Sequence, residues 1–199
     1  MKYCTVKEHY DLLIDEGNDP VHDSDRLKAY MDRWDGEKFI KALELSNDKS
    51  VLEIGVGTGR LAVRTAPLCK TFTGIDISEK TIERAAENLS AYENVKLICG
   101  DFLTHDFSEK YDIIYSSLTF MHIEDSVAAF KKAAKLLNKG GKMVISLDRD
   151  QSQVIECGER AVKIFPCHPL RLCLAAQDAG AADIGGFGTE AADVIYAKW

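Results

Sequence analysis

Nowhere in the sequence do apolar residues run together for the roughly 18 positions that a membrane helix needs. The N-terminal MKYCTVKEHYDLL has no continuous apolar segment of the kind a secretory signal carries. A basic excess is also missing. Lys and Arg number 25 against 32 Asp and Glu, for a net charge of −7, so the positive face of a nucleic-acid binder is not expected. The six cysteines, at positions 4, 69, 99, 157, 167 and 173, form no C-x-x-C pair. Without an export signal they are expected as free thiols in a cytoplasmic protein, with Cys99 acting as a small hydrophobe inside a strand. Cys167, His168 and Cys173 lie close in sequence, but their spacing matches no zinc pattern and no metal is expected. Repeats and low-complexity tracts are absent. What remains, 199 residues with 46% hydrophobic and 29% charged, suits one α/β domain with a proper core.

The chain is organised around residues 51–60, VLEIGVGTGR. Val51, Leu52 and Ile54 read as a strand buried on both faces. Gly55, Gly57 and Gly59 then alternate with Val56 and Thr58, and a helical pattern opens at Arg60. Three glycines in five residues let backbone come close to a ligand, and free N–H groups at a strand-to-helix turn face the same crevice. A nucleoside ligand fits that layout.

Further strands are expected at residues 71–77, 95–99, 111–117 and 142–147. Helices are expected at about 60–68, from Ser78 through Ile82, Ala85, Ala86 and Leu89, and at about 125–137. Such alternation predicts βαβ crossovers, hence a doubly wound, mostly parallel sheet with helices on both faces. Residues 182–187 and 192–198 are too close together for a crossover and should pair as an antiparallel C-terminal hairpin. Ahead of the core, residues 23–33 read as a helix, and Asp35 as the N-cap of another running to Leu45. Residues 1–19 carry no clear pattern. The expected organisation is one domain, residues 1–199, with an N-terminal helical lid over 1–34 and a core over 35–199.

In a doubly wound sheet the ligand sits beyond the carboxyl ends of the strands. Four features fall there: Glu53 with the three glycines, Asp76, Asp101, and Ser116 with Ser117. Asp76 stands where a carboxylate can accept two hydrogen bonds from a ribose diol. Asp101, beside Phe102, can accept from an adenine amine while Ile77 flanks the ring. Glu53, set in an apolar strand, needs a partner, either loop amides or a cationic group of the ligand.

Together these residues resemble the class I S-adenosylmethionine-dependent methyltransferases. Glu53-Ile-Gly55-Val-Gly57-Thr-Gly59 resembles the family's E/D-x-G-x-G-x-G motif, Asp76 its acid after strand two, and Gly100-Asp101-Phe102 its adenine-binding segment. Residues 111–118, residues 137–143 and the terminal hairpin also match, giving a seven-stranded sheet whose last strand is antiparallel. The resemblance implies S-adenosylmethionine as cofactor and S-adenosylhomocysteine as product. It puts the glycine loop against the amino acid part, Asp76 at the ribose, and Asp101 with Phe102 at the adenine; Glu53, Ile77 and Ser117 are expected as further cofactor contacts. A nicotinamide dinucleotide enzyme, the main rival, would need a glycine where Arg60 stands. A protein that binds the adenosyl ligand without turnover is the other alternative.

Methyl transfer asks the protein chiefly for alignment, and a base only where the acceptor must lose a proton. His122, just past strand four, is the candidate base, because family members with this segment often carry histidine there. Asp148, Asp150, His9, Tyr3 and Tyr10 are further candidates. Position 115 opens Tyr-Ser-Ser-Leu rather than an N-P-P-Y-like tetrapeptide, so resemblance argues against adenine or glutamine amino groups as acceptors. A small-molecule acceptor is expected, selected by residues 1–34 and 148–180, with Tyr3, Tyr10, Phe165 and Arg171 as possible lining.

Overall fold

The computed structural model describes residues 2–150 and 152–199. Strand β1 (Lys2–Cys4) leads into helix α1 (Val6–Asp15), whose start is fixed by a reciprocal capping box between Thr5 and Glu8. Helix α2 (Asp25–Asp35), capped by Ser24, turns at Gly36 into the short α3 (Glu37–Ala42). There follow β2 (Ser50–Ile54), α4 (Ala62–Thr65), β3 (Thr71–Asp76), α5 (Glu79–Asn88), β4 (Val95–Cys99) and β5 (Tyr111–Ser117). Next come α6 (Ser126–Lys135), β6 (Leu137–Asp148), β7 (Val154–Cys157), β8 (Arg160–Lys163) and α7 (Pro169–Asp178). The hairpin β9 (Asp183–Gly188) and β10 (Ala192–Lys198) completes the chain.

Seven strands form one sheet in the order β4-β3-β2-β5-β6-β10-β9. Neighbours from β4 across to β6 pair in parallel, and β10 runs antiparallel to both β6 and β9. The expected α/β architecture is therefore the one the chain forms, with the order reversing between β2 and β5. Side chains alternate along each strand and split the core between the two faces. Leu52, Ile54, Ile114, Met143 and Ile145 pack toward α6 and α7, where Phe130 and Leu172 lie. Val51, Ile113, Tyr115 and Val144 pack on the other side against Phe39, Ala62 and Ala85. At roughly 25 cal/mol per Å2 of apolar surface, these two layers are the main stabilising force.

Several expectations need correction. Residues 6–15 form a helix, its start fixed by the capping box and Val6, Tyr10, Leu13 and Ile14 partly buried along one side. A second sheet, in the order β1-β8-β7, was not foreseen, since it pairs residues 2–4 with 160–162. Asp35 does not cap a helix but ends α2, fully buried. The helix after the glycine loop is one turn of α4 followed by a 3-10 turn over Ala66–Leu68, where Pro67 has no N–H to continue it. Strand β6 starts at Leu137, with an irregular register between Tyr111 and Ile113 absorbing the Gly140-Gly141 segment. Ala86 is exposed on α5, and Cys99 is exposed at the end of β4, on the sheet's edge. All six cysteines are free. Among the described residues no helix is long and apolar enough to cross a membrane, and no cluster of three or more His, Cys, Asp or Glu could hold a metal.

The turn after β2 depends on backbone that only glycine adopts cheaply. Gly55 has φ +78°, and a Cβ there would lie 2.0 Å from Thr119 Oγ1. Gly57 has φ +56° with nothing within 4 Å of its Cβ position. Gly57→Ala is thus expected to cost about 1–2 kcal/mol, the left-handed penalty alone. For Gly55→Ala the clash adds to it, for more than about 3 kcal/mol. Urea denaturation of both variants checks the order, and equal losses would refute the packing account.

Candidate active site

Beyond the carboxyl ends of β2, β3, β4 and β5 lies a cavity of about 480 Å3. Glu53, Gly55 and Gly57 border it from the first loop, Asp76 and Ile77 from the second, Asp101 and Phe102 from the third, and Ser117 and His122 from the fourth. Nine of the ten predicted site residues therefore share one space. The tenth, Gly59, lies outside the lining: a Cβ there would press within 3.2 Å of Leu89, so its role is helix packing. Ser116 is fully buried, with its hydroxyl bonded to the Ile54 carbonyl.

Each acid sits in a different environment. Glu53 is buried in register with Tyr115 and accepts a 2.8 Å hydrogen bond from the Tyr115 hydroxyl, which also meets Thr65 at 2.8 Å. Burial pushes the Glu53 carboxyl up to about 8, while the tyrosine bond and the Arg60 charge pull the other way. Asp76 accepts N–H bonds from Gly57 and Ser78, both at 3.0 Å, so it locks the glycine loop onto β3. Burial outweighs those bonds and raises its carboxyl above the usual range. Asp101 is exposed and accepts from the Leu103 N–H at 2.7 Å, shaping the turn that presents Phe102.

The N-terminal elements close over this edge. Val6 and Tyr10 of α1, Pro20, and Met31 of α2 all line the cavity. They are held by Asp11 bonded to the Ser78 hydroxyl at 2.7 Å, Asp15 paired with Lys80, and Asp19 paired with Arg84 and bonded to Asn88. Asn88 also donates to the Thr58 carbonyl at 2.9 Å, linking this segment to the glycine loop. From the other side, Arg160 of β8 pairs with Glu16, and the Phe165 N–H reaches the Met121 carbonyl at 2.7 Å.

His122 sits on a 3-10 turn over Phe120–His122, with Nε2 2.8 Å from the Tyr10 hydroxyl and the two rings edge to face. Its Nδ1 is buried and has no partner. Burial, helped by the nearby His9, holds the imidazole down at about 4. Of the other candidate bases, His9 is buried against Tyr10 and Arg160, outside the cavity lining. Asp148 and Asp150 border a separate small recess with Met121, Pro166 and Cys167. Tyr3 is 65% exposed and Arg171 is also exposed, so neither reaches the site, while Phe165 packs under Lys163.

Sequence reasoning did not foresee one ion pair. Arg60 donates to both carboxylate oxygens of Asp35, with the Nη1 bond at 2.8 Å, and the Ser117 hydroxyl donates to the same carboxylate. Local pattern gave Asp35 a capping role and Arg60 only the role of a missing glycine. The available signal was an acid at the end of a helix and a base at the turn, 25 residues apart, and only the fold joins them.

The depressed His122 group has a consequence for stability. Unfolded chain takes up a proton near pH 6.5 that the folded chain refuses until about pH 4. The contribution is intact above pH 6.5 and is lost as pH falls toward 4, by about 3 kcal/mol. Urea midpoints at pH 7.5 and 4.5 should therefore converge more closely in His122→Asn than in the wild-type chain. An unaltered pH dependence would remove His122 as a source of acid lability.

Comparison with known proteins agrees with this geometry. A family model described as a methyltransferase domain matches residues 45–168. Malonyl-[acyl-carrier protein] O-methyltransferase 1 of Ilyobacter polytropus is 33% identical over 102 residues, 49% of this chain and 37% of that protein. An uncharacterized methyltransferase of Anoxybacillus flavithermus is 36% identical over 123 residues, 60% of this chain and 57% of that one. The chain thus spans only 37% and 57% of these two relatives. Among solved structures, the DhpI–SAH complex superposes with a TM-score of 0.76 at 16% identity, covering 96% of this chain and 93% of DhpI. Magnesium protoporphyrin IX methyltransferase (ChlM) from Synechocystis PCC 6803 with bound SAM gives 0.71 at 18% identity, covering 97% and 94%. The [4+2]-cyclase SpnF gives 0.69 at 19% identity, covering 94% and 77%. These likenesses speak for the fold. With the family model matching over more than half of its length, the chain belongs to the methyltransferase domain family, of the class I, S-adenosylmethionine-dependent kind.

Proposed function

We propose that this chain transfers a methyl group from S-adenosylmethionine to a small-molecule acceptor. The observation that carries the reading is the convergence of Glu53, Asp76 and Asp101, from the ends of three adjacent strands, on one cavity. The residues fit such a cofactor. The volume, about 480 Å3, lies in the range of small-molecule sites. The open space at Gly57 admits a ligand to the backbone, and Glu53, bonded among the described residues only to the Tyr115 hydroxyl, suits a cation.

In this reading Glu53 takes the ammonium of the methionine part, beside Gly55, Gly57 and Ser117. Asp76 has lone pairs left after its two backbone bonds and takes the ribose hydroxyls. Asp101 and Phe102, with Ile77, hold the adenine. The bound sulfonium supplies an electrophilic methyl group. Residues 1–34 act as a lid that keeps water out and orients the acceptor. His122, with its imidazole neutral at pH 7, is able to take a proton from the acceptor. Its Nε2 is bonded to Tyr10, so that proton passes by way of the Tyr10 hydroxyl. Glu53, Asp76, Asp101 and Glu124 all border the cavity, and this acidic lining supports a compact, non-polyanionic acceptor over nucleic acid. The six free thiols support a cytoplasmic location.

Two measurements test the reading. Asp76→Ala should weaken S-adenosylhomocysteine by roughly 10- to 150-fold in calorimetry, from about 1.5–3 kcal/mol of charge-assisted bonding. An unchanged affinity, or displacement by NADH, counts against the site. Labelled cofactor supplied with a metabolite extract, and separately with carrier-linked thioesters, should mark a small-molecule product. His122→Ala should slow that transfer by about 100-fold or more. Binding without transfer to any acceptor would favour a ligand-binding protein instead.

A further inference from the structure

The cavity divides by what its walls already do. The loops after β2, β3 and β4, together with Ser117, carry the groups assigned to the cofactor. What is left is the lid, with Val6, Tyr10, Pro20 and Met31, and the loop after β5 over residues 118–124. Most of that remainder is apolar, and Val6, Met31, Leu118 and Ile123 can pack an apolar body. The lid's own acids are engaged elsewhere, Asp11 with Ser78, Asp15 with Lys80 and Asp19 with Arg84. His122 is neutral at pH 7, since burial holds it at about 4. One full charge remains on this side, the carboxylate of Glu124.

Glu124 stands two residues beyond His122, exposed on the cavity wall. Among the described residues no hydrogen bond or ion pair reaches its carboxylate. Its neighbour Asp125 is engaged in capping α6, where it accepts from the Ala128 N–H at 2.9 Å. Among the described residues the cavity lining holds a single cation, Arg60, and both its Nη atoms are bonded to Asp35. An anionic acceptor would therefore give up water on this side without meeting a counter-charge, whereas a cation meets the one ion left unpaired. The shared negative sign of Glu124, Asp101 and Asp76 also concentrates cations at the mouth.

We propose that the methyl acceptor is a small amine bound as its cation, with the ammonium at Glu124, an apolar body against Val6, Met31 and Ile123, and a separate O–H or N–H at Tyr10 and His122. The two polar groups are distinct, because a protonated amine has no lone pair with which to attack. In the transfer the bond from sulfur to methyl breaks with its electron pair left on sulfur. A lone pair of the second group forms the new bond, and that group's proton leaves toward Tyr10 and His122. The proposal rests on the methyltransferase reading and deepens it, because it names the charge of the acceptor and the residue that selects it.

The unmodified protein gives the first answer. A metabolite extract is separated at neutral pH on a cation exchanger and an anion exchanger, and each retained fraction and the flow-through receive protein with labelled S-adenosylmethionine. Label should enter a product of the cation-retained fraction. Label found mainly in the anion-retained fraction or the flow-through overturns this proposal and leaves the methyltransferase reading standing. Label in no fraction counts against both. With the parent compound purified, Glu124→Gln should raise its KM by at least about fivefold and leave kcat within about twofold. Glu124→Lys should raise KM further, and Glu124→Asp should restore part of the loss. S-adenosylhomocysteine should bind the Gln and Lys variants within about threefold of the wild-type chain. An unchanged KM, or an equal loss of S-adenosylhomocysteine affinity, overturns the assignment of Glu124.

Discussion

A carboxylate buried at the end of a central strand is an unfavourable thing to build, and the site is arranged around that difficulty. Glu53 sits where alternation along β2 demands an apolar side chain, facing Phe39 and Tyr115. A single tyrosine hydroxyl meets one oxygen, and burial keeps the group protonated well above the usual carboxylate range. A core that only had to be stable would place valine or isoleucine there. The exception at position 53 costs folding free energy, which the proposed ligand contact would explain.

The same logic separates the fold from its use. A parallel sheet with this strand order also underlies SpnF, named as a cyclase, so architecture alone assigns no chemistry. What distinguishes this chain is the set of groups at one sheet edge: three acids at the ends of β2, β3 and β4, a histidine held by a tyrosine, and an arginine held by an aspartate. Most of these groups are fixed by a second residue before any ligand arrives. Asp76 is set by two backbone amides, Asp101 by its own turn, and Arg60 by Asp35. Pre-set groups lose less entropy on binding than free side chains do.

How much of this was legible beforehand follows from the range of each interaction. The parallel strands, the hairpin and the glycine turn are written in short patterns of β-branched residues and glycine, and those were read in place. The three strand-end acids were also legible, because their positions follow from where the apolar runs stop. Helix α1 was missed although its signals are local: the Thr5–Glu8 capping box and the stripe of Val6, Tyr10, Leu13 and Ile14. The sheet formed by β1, β8 and β7 was missed because no local pattern announces a pairing between residues 2–4 and 160–162. Asp35 was misread for the opposite reason: a local rule for helix starts applied well to its neighbours, and a long-range ion pair overrode it. Tyr10 was weighed as a further candidate base and as pocket lining, but its place against His122 depends on α1 docking against α5.

That small parallel pairing has an implication for the order in which the molecule assembles. Strand β1 is synthesised long before its partner β8, which ends at Lys163. Closing so long a loop is entropically slow, and no growing chain can attempt it before that residue has left the ribosome. The sheet's parallel strands, β2 to β6, are complete by Asp148. Biosynthesis thus completes the parallel strands before β1 can join β8, whereas the bonds from Asp11, Asp15 and Asp19 to residues 78–88 are within reach much earlier.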